Sequence, residues 1–392
     1  MDVLISGIGI AGPTLAFWLK KCGFSPTLVE SAPALRTAGY VIDFWGLGYD
    51  IADKMGLLPD IKRIGYTMQE MRIVDDEGGR LSGFDVHVIR ELTEGRYITL
   101  GRADLSKLIY DRISGSCEVI FGDSIRHLRE ADGKVHVEFE RGRERRFDLI
   151  IGADGLHSQV RKLVFGPQDQ YEKDLAYRVA AFETSGYRPR DESVYIVHSA
   201  PGRQVGRFTL HDDRTLFLFI FADAGERHAE GIETQRTILR KTFRGDGWEL
   251  PRILAALDGC NDLYFDRVSQ IRMSAWSRGR VALVGDAAFC VSLLAGQGSA
   301  LAMTAAYILA GELAKARDQP QAAFHRYEER LRSFIEAKRR AAERFATAFV
   351  PRTWFGLFFR NQVLKTFRVP AFARIAIGRA IRDQLTLPWY DL

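Results

Sequence analysis

Three glycines near the start of the chain have the spacing that a nucleotide phosphate requires. The segment from Gly7 to Gly12 reads Gly-Ile-Gly-Ile-Ala-Gly, between an apolar strand-like run at 3–5 and a helical pattern. One glycine permits a tight turn, one lets the backbone approach a pyrophosphate, and one lets helix and strand pack closely. The helix amino terminus supplies free N–H groups and partial positive charge. Gly7, Gly9, Ala11 and Gly12 are therefore candidate cofactor contacts.

An acidic residue completes this pattern at the end of the next strand. Glu30 follows the apolar run at 27–29, and its carboxylate can accept hydrogen bonds from ribose hydroxyls. An acid at this position disfavours a 2′-phosphate. Residues 1–30 are therefore predicted to form a strand–helix–strand unit whose resident dinucleotide is FAD or NAD rather than NADP. A glycine-rich turn without function is the alternative.

Two further strand ends carry an acidic residue next to glycine. The run at 148–151 is followed by Gly-Ala-Asp-Gly, which puts Asp154 and Gly155 before a helix-like stretch. The run at 280–284 is followed by Gly285 and Asp286. A carboxylate at the carboxyl end of a strand can bind a polyol hydroxyl, because ligands of open α/β sheets bind at that edge. Each segment alone could equally be a strand followed by a turn.

The remaining pattern predicts an α/β chain with an inserted sheet. Strand-like runs separated by turns fill residues 171–272, with a helical pattern near 233–243. Such runs are typical of a mostly antiparallel sheet. We therefore expect a Rossmann-like, discontinuous dinucleotide-binding domain (1–170 and 273–320), a separate sheet domain (171–272) that would bind the substrate, and C-terminal helices (321–392).

Composition excludes several other classes of protein. The 392 residues are 27% charged and 46% hydrophobic, which excludes a disordered or collagen-like chain. No run approaches the roughly 18 apolar residues of a membrane-spanning helix, and no signal peptide is expected. The four cysteines lie far apart and the eight histidines form no cluster. We therefore expect a reduced, cytoplasmic protein without a metal site.

Positive charge is concentrated at the C-terminus. Residues 321–392 carry 14 Lys/Arg and 6 Asp/Glu, whereas the other 320 residues carry 41 and 44. Such a region could meet nucleic acid, anionic lipid or an acidic ligand, although a solvated helix face is the simpler interpretation. Nucleic-acid binding has no motif beyond charge and is discounted. Aromatic residues at helical spacing predict that the terminal helices pack across both domains, and a membrane-surface role is the alternative.

In this order, the three motifs resemble those of the single-component FAD-dependent aromatic hydroxylases, which include para-hydroxybenzoate hydroxylase. The resemblance covers most of residues 1–320. It implies that FAD is the resident cofactor, that Glu30 holds the adenosine ribose and that Asp286 holds the ribityl chain or pyrophosphate. It further implies that Asp154 serves both FAD and a transient NADPH or NADH, and that Arg102, in an Arg-x-x-Leu segment, contacts FAD.

Shorter segments are similar to the tetracycline-inactivating flavin monooxygenases and to related antibiotic-tailoring hydroxylases. They include residues 39–43, 274–280 and 306–313. This similarity implies that Asp43 is a further FAD contact. Arg36, shortly before it, is also a candidate cofactor contact.

The loop from Ser292 to Gly298 is expected to face the flavin ring. Its candidate catalytic positions are Leu293, Gly296 and Gln297, and Gly298 is a candidate cofactor contact. The helix that follows would direct its positive end towards the reduced, anionic ring. The sequence departs from the family here, because Leu293 replaces a usual proline and Ala300 a frequent asparagine.

Six side chains that alternate along the inserted strands are candidate substrate contacts. Aromatic residues suit a planar polycyclic substrate, although core packing is the alternative for the phenylalanines and a structural role for the histidine. The six candidates are Arg178, Phe182, His198, Arg207, Phe217 and Phe219.

The sequence thus predicts an FAD-dependent monooxygenase. Such an enzyme would use NAD(P)H and dioxygen, through a flavin peroxide, to oxygenate a polycyclic aromatic or tetracycline-like small molecule. No obligate protein partner is expected. A flavin oxidase or reductase that does not oxygenate and a non-catalytic flavin- or drug-binding protein are the alternatives.

Overall fold

The structure is a computed structural model that describes residues 1–36, 39–223, 225, 231–367 and 385–391. In this part of the chain the strands are β1 (Asp2–Ser6), β2 (Ser25–Glu30), β3 (Val41–Trp45), β4 (Glu70–Val74), β5 (Arg80–Asp85), β6 (Tyr97–Gly101), β7 (Glu118–Phe121), β8 (Ile125–Ala131), β9 (Lys134–Phe139), β10 (Glu144–Phe147), β11 (Leu149–Gly152), β12 (Glu172–Ser185), β13 (Val194–Ala200), β14 (Arg203–Thr209), β15 (Arg214–Ala222), β16 (Tyr264–Ile271), β17 (Ser277–Arg278) and β18 (Val281–Leu283). The helices are α1 (Ala11–Lys21), α2 (Leu47–Lys54), α3 (Leu58–Ile64), α4 (His87–Leu92), α5 (Arg102–Asp111), α6 (Gln159–Val164), α7 (Ile232–Thr242), α8 (Leu250–Ala256), α9 (Asp286–Phe289), α10 (Gly298–Lys315), α11 (Pro320–Phe349) and α12 (Trp354–Thr366).

A mainly parallel sheet forms the first layer of the fold. Its strand order is β17-β18-β11-β1-β2-β7, and only the edge pair β17–β18 is antiparallel among the described strands. Its central strands are fully buried, as expected for a parallel sheet whose two faces are both covered. Because β1, β11 and β18 are neighbours in the same direction, their carboxyl ends bring the three glycine-containing motifs to one edge.

A second, larger sheet has the order β16-β12-β15-β14-β13-β4-β5. It is antiparallel except where β13 pairs in parallel with β4. The predicted α/β architecture, with an inserted, mostly antiparallel sheet and C-terminal helices, is confirmed. One boundary differs from expectation, because the hairpin at 70–85 belongs to this sheet rather than to the first domain. It supplies backbone hydrogen bonds to β13, more than a hundred residues away in sequence.

The two faces of the larger sheet have different neighbours. On one face, which we call the helix-covered face, Phe182, Phe217 and Phe219 pack in one cluster with Leu239 of α7 and Ile253 of α8. On the other face, which we call the loop-side face, Val179 and Ile220 pack in one cluster with Leu293 and Leu294. The loop-side face therefore meets the segment expected to lie against the flavin.

The C-terminal part of the chain packs on both layers. Helix α11 packs along α10, and α12 lies against β5 and β13 of the larger sheet. Beyond α12, Tyr390 lies on α10, where a Cβ at Gly311 would lie 2.3 Å from its ring, and its hydroxyl donates to the buried carboxylate of Glu312. Residues 368–384, also expected to be helical, lie outside the described residues. No helix in the described ranges is both long and apolar enough to cross a membrane.

Candidate active site

The glycine-rich turn between β1 and α1 leaves space where a phosphate would need it. A Cβ on Gly7 would lie 2.5 Å from the carbonyl oxygen of Ala153, and one on Gly12 would lie 2.0 Å from that of Gly7. These two glycines are therefore required by the packing of the protein itself. A Cβ on Gly9, in contrast, would come no closer than 3.8 Å to Arg102 Nη2. Gly9 thus borders an open space that it shares with a guanidinium group.

The amino end of α1 fits an anion at this space. Among the described residues of that end, no side chain caps the helix and no acidic residue occupies its first turn. Its first backbone N–H groups and partial positive charge are therefore available to a ligand. Residues 7–12 and Arg102 together have the chemistry of a pyrophosphate cradle.

Glu30 is held towards the same turn. Its two carboxylate oxygens accept hydrogen bonds from Ile8 N at 2.9 Å and from Ala32 N at 3.0 Å. A carboxylate has about four acceptor sites. Glu30 therefore has acceptor capacity left for ribose hydroxyls at the end of β2.

Asp154 lies partly buried behind the glycine turn and is fixed by its own loop. It accepts from Ser158 Oγ at 2.5 Å and from Val160 N at 3.0 Å. Burial raises the pKa of Asp154, and these hydrogen bonds only partly offset the effect. Gly155 follows with φ +77, and a Cβ there would meet no atom within 4 Å among the described residues. The carboxyl group of Asp154 thus fixes the conformation of the turn that precedes α6.

Arg161 connects this loop to the third motif. Its fully buried guanidinium donates to the carbonyl oxygen of Ala287 at 2.9 Å and to that of Leu156 at 2.6 Å. Burial lowers the pKa of Arg161. Arg161 had no predicted role in the site. In the structure it holds the Asp154 loop and α9 at a fixed separation.

Asp286 and Arg102 face the same interior space from opposite elements. Burial raises the pKa of Asp286, and the positive charge of Arg102 opposes this rise. Burial by itself would lower the pKa of Arg102. Its electrostatic interactions with Tyr40, Asp286 and Tyr264 outweigh burial, so the pKa of Arg102 is raised. Burial also raises the pKa of Tyr40 to about 12. This partly buried polar group lies at the edge where the three motifs meet, which fits the polar chain of a dinucleotide cofactor.

Asp43 lies on the two-stranded β3–β6 unit next to the larger sheet. Its Oδ1 atom accepts from Tyr97 Oη and from Thr99 Oγ1, both at 2.6 Å. Burial raises the pKa of Asp43 more than these hydrogen bonds lower it. Burial raises the pKa of Tyr195 on the loop-side face, and the negative charge of Asp43 adds to this rise. Tyr97, which donates to Asp43, packs in one cluster with Tyr195, so Asp43 is close to that face.

The loop from Ser292 to Gly298 has an irregular backbone. Ser292 has φ 123, a conformation that is costly for a non-glycine residue, and its side chain accepts from Leu294 N at 3.2 Å. Gly296 is exposed in the left-handed region with φ +65. Gln297 is buried, and a Cβ on Gly298 would lie 3.9 Å from Asp286 Oδ1. The loop therefore ends beside the third motif, and Leu293 anchors it to the larger sheet.

The uncapped start of α10 follows directly. In the described residues, its first turn has no side-chain cap and no acidic residue. Its positive end therefore stabilises negative charge that lies beside Gly298.

The six predicted substrate contacts all lie on the helix-covered face. The three phenylalanines Phe182, Phe217 and Phe219 form its core. His198 pairs with Asp76 at 2.8 Å, and Arg207 pairs with Glu249 at 2.8 Å. The structure therefore does not bring these five side chains to the loop at 292–298.

Arg178, the sixth, is also buried and pairs with Asp223 at 3.0 Å. It lines a cavity of about 250 Å³ together with His157 and Asp266. Arg36 is exposed next to residues 37 and 38, which lie outside the described ranges.

The loop-side face carries residues that were not predicted from the sequence. Tyr195, Phe208, Leu216 and Leu218 line it, together with Tyr40 and Tyr66, which flank the β3–β6 unit. The ring of Tyr195 occupies the space above Gly206, where a Cβ would lie 2.0 Å from its hydroxyl oxygen. The strand register puts neighbouring pairs on opposite faces. The pair Ala181–Leu218 lies on the loop-side face, and the pair Phe182–Phe217 lies on the helix-covered face.

Comparison with known proteins agrees with this geometry. The profile of the FAD binding domain family matches residues 1–342. A flavin-dependent monooxygenase from an unknown prokaryotic organism is 35% identical over 338 residues, which cover 86% of each chain. The crystal structure of tetracycline destructase Tet(51) has a TM-score of 0.84 at 32% identity and covers 99% of both chains. Klebsiella pneumoniae R204Q HpxO complexed with FAD has a TM-score of 0.79 at 25% identity, covering 96% of this chain and 98% of its own.

These matches define the class of protein. The fold is that of an FAD-dependent monooxygenase, and FAD is its cofactor. The chain belongs to the FAD binding domain family.

Proposed function

We propose that this enzyme uses NADPH or NADH to oxygenate a polycyclic aromatic or tetracycline-like small molecule. The observation that carries the proposal is the apolar and aromatic loop-side face, which meets both Asp43 and the loop at 292–298. Such a face suits a large planar ligand with few polar groups. The similarity to tetracycline destructase Tet(51) over nearly the whole chain supports a tetracycline-like member of this class.

Several residues would hold the cofactor. The amino end of α1, with Gly7, Gly9, Ala11 and Gly12, and the guanidinium of Arg102 would bind the pyrophosphate. Glu30 would accept hydrogen bonds from the adenosine ribose, and Asp286 from the ribityl chain. Bound FAD takes up reducing equivalents from NAD(P)H and activates dioxygen.

The chain's own residues supply positioning and electrostatics. The backbone of Gly296 and Gln297 would lie along the ring edge, because Gly296 has no side chain to obstruct it. The amino end of α10 would stabilise negative charge there by about 0.3–2 kcal/mol. Leu293 and Leu294, packed on the larger sheet, would keep bulk water away from this edge.

Asp43 would orient polar groups at the boundary between cofactor and substrate. It is held by Tyr97 and Thr99 and lies near Tyr195, so it would accept a hydrogen bond from a hydroxyl group. Tyr195 and Leu218, which are only partly buried, would contact the apolar rings of the substrate.

Adding tetracycline to purified, FAD-loaded protein tests this function. We expect a change in the visible flavin spectrum, because the ligand would bind beside the ring, and faster NADPH oxidation in air. Tetracycline that leaves both the spectrum and the NADPH rate unchanged would exclude this substrate class.

A further inference from the structure

Helix α12 presents a large exposed aromatic patch. Trp354 is 73% exposed, Phe355 78%, Phe358 61% and Phe359 62%, and Val363 continues the same side. Their spacing of one, three and four residues puts them on one side of a helix. Monomeric soluble domains rarely leave a contiguous apolar patch of this kind in water.

The opposite side of α12 is fixed to the protein. Leu357 is buried, and Arg360 donates to the carbonyl oxygen of Phe349 at 3.1 Å and to Ser199 Oγ at 3.3 Å. Thr353 caps the helix by accepting from Gly356 N at 3.1 Å. The aromatic patch therefore cannot turn inwards without breaking these interactions. The contacts of the opposite side of α12 thus keep the patch on the protein surface.

The chain on either side of the patch carries only positive charge. Residues 344–382 contain eight Lys/Arg and no Asp/Glu. Two of these cations, Arg352 and Lys365, are exposed at the two ends of α12. An occupant of the patch must therefore combine an apolar interior with negative charge at its border.

We infer that α12 docks the enzyme on the surface of an anionic phospholipid bilayer. Tryptophan and phenylalanine enter the boundary between head groups and acyl chains, and lysine and arginine bind the anionic head groups around them. With thirteen residues, fixed along one side, α12 would lie in the plane of the membrane and not cross it. A second copy of the chain suits the patch less well, because pairing would bring two cationic borders together.

The test is co-sedimentation of the FAD-loaded, full-length enzyme with vesicles. Phosphatidylcholine vesicles that contain phosphatidylglycerol should sediment the enzyme, and vesicles of phosphatidylcholine alone should sediment far less. Removing two membrane-inserted rings with Phe355→Ser/Phe358→Ser should weaken binding by about tenfold or more. Arg352→Gln/Lys365→Gln should weaken it by about fivefold for each charge removed, and high salt should have a similar effect.

Trp389→Ser provides the matched control. Trp389 is 77% exposed but lies beside Lys54, outside α12. Its replacement should leave vesicle binding unchanged, and unaltered FAD content should show that all variants are folded. Equal binding by wild type and the Phe355/Phe358 variant would overturn the inference. So would a dimer, detected by light scattering without vesicles, that Phe358→Ser dissociates.

Discussion

Gly48 of α2 and Ala300 of α10 lie in direct backbone contact. A Cβ on Gly48 would lie 2.4 Å from the Cα atom and 2.5 Å from the Cβ atom of Ala300. Ala300 follows the expected flavin loop by two residues, so this contact fixes where that loop leads into its helix. It also gives a physical reason for a small residue at position 300, where the family often has asparagine.

Gly48→Ala should therefore destabilise the protein and disturb the loop. Overpacking a close contact costs about 1–3 kcal/mol of unfolding free energy, and the displaced start of α10 should weaken FAD binding. Chemical unfolding and a flavin fluorescence titration measure the two effects. Gly259→Ala is the control, because a Cβ there would meet no described atom within 4 Å. Equal stability of Gly48→Ala and Gly259→Ala would contradict the importance of the contact.

Gly9→Ala and Gly7→Ala should separate cofactor binding from folding. A methyl group on Gly9 enters the open space beside Arg102, so it should weaken FAD binding by about tenfold or more while the apoprotein unfolds normally. A methyl group on Gly7 meets Ala153 and has a strained φ of +106, so it should lower apoprotein stability itself. The measurement is FAD affinity beside denaturant unfolding of each apoprotein. A Gly9→Ala protein with normal FAD affinity would mean that the pyrophosphate binds elsewhere.

Asp43→Asn should change the pH dependence of apoprotein stability. Because burial raises the pKa of Asp43, the folded state holds its proton more tightly than the unfolded chain, where aspartate titrates near about 3.9. This contribution to stability is fully present below the unfolded pKa and is lost as pH rises through the folded one. Relative to wild type, the asparagine variant should therefore gain stability from acidic to neutral pH.

Urea unfolding of the FAD-free protein across that pH range measures this effect. Asp53→Asn, on the exposed side of α2, is the control that removes a carboxylate at the surface. The opposite trend, in which wild type gains on Asp43→Asn towards neutral pH, would show that Asp43 is a stabilised anion.

The two faces of the larger sheet should respond differently to truncation. Leu218→Ala, on the loop-side face, should raise the KM for a polycyclic substrate with a modest loss of stability, since Leu218 is only partly buried. Phe219→Ala, next in sequence but in the helix-covered core, should cost about 3–5 kcal/mol of stability. At a temperature where both proteins are folded, its KM should equal that of wild type. A larger KM effect from Phe219→Ala would reverse our assignment of the faces.

The sheet edge that carries the three motifs could be predicted from the sequence because its signals are local. Each motif couples a strand end to a glycine or a carboxylate, and parallel pairing of β1, β11 and β18 then makes the three ends neighbours. The positions of Gly7, Glu30 and Asp286 follow from that rule alone. Arg161 could have been suspected from its place after the second motif, but its contact with Ala287 joins distant segments.

The face of the larger sheet could not be predicted in the same way. Its strands alternate, but both faces are apolar, since one packs under α7 and α8 and the other against the β3–β6 unit and the loop at 292–298. The alternation therefore does not tell which of the two sets of side chains faces the loop at 292–298. From the sequence, Phe217 and Leu218 are equally good candidates for a substrate contact. Pairing of β4 with β13 across more than a hundred residues likewise leaves no local signal.

The fate of molecular oxygen distinguishes oxygenation of a tetracycline-like substrate from unproductive flavin turnover. FAD-loaded enzyme, NADPH and tetracycline would be mixed under isotopically heavy dioxygen and the products analysed by mass spectrometry. We expect a product that has gained one heavy oxygen atom for each turnover. NADPH oxidation that yields only hydrogen peroxide, or a product whose added oxygen comes from water, would contradict the proposed function.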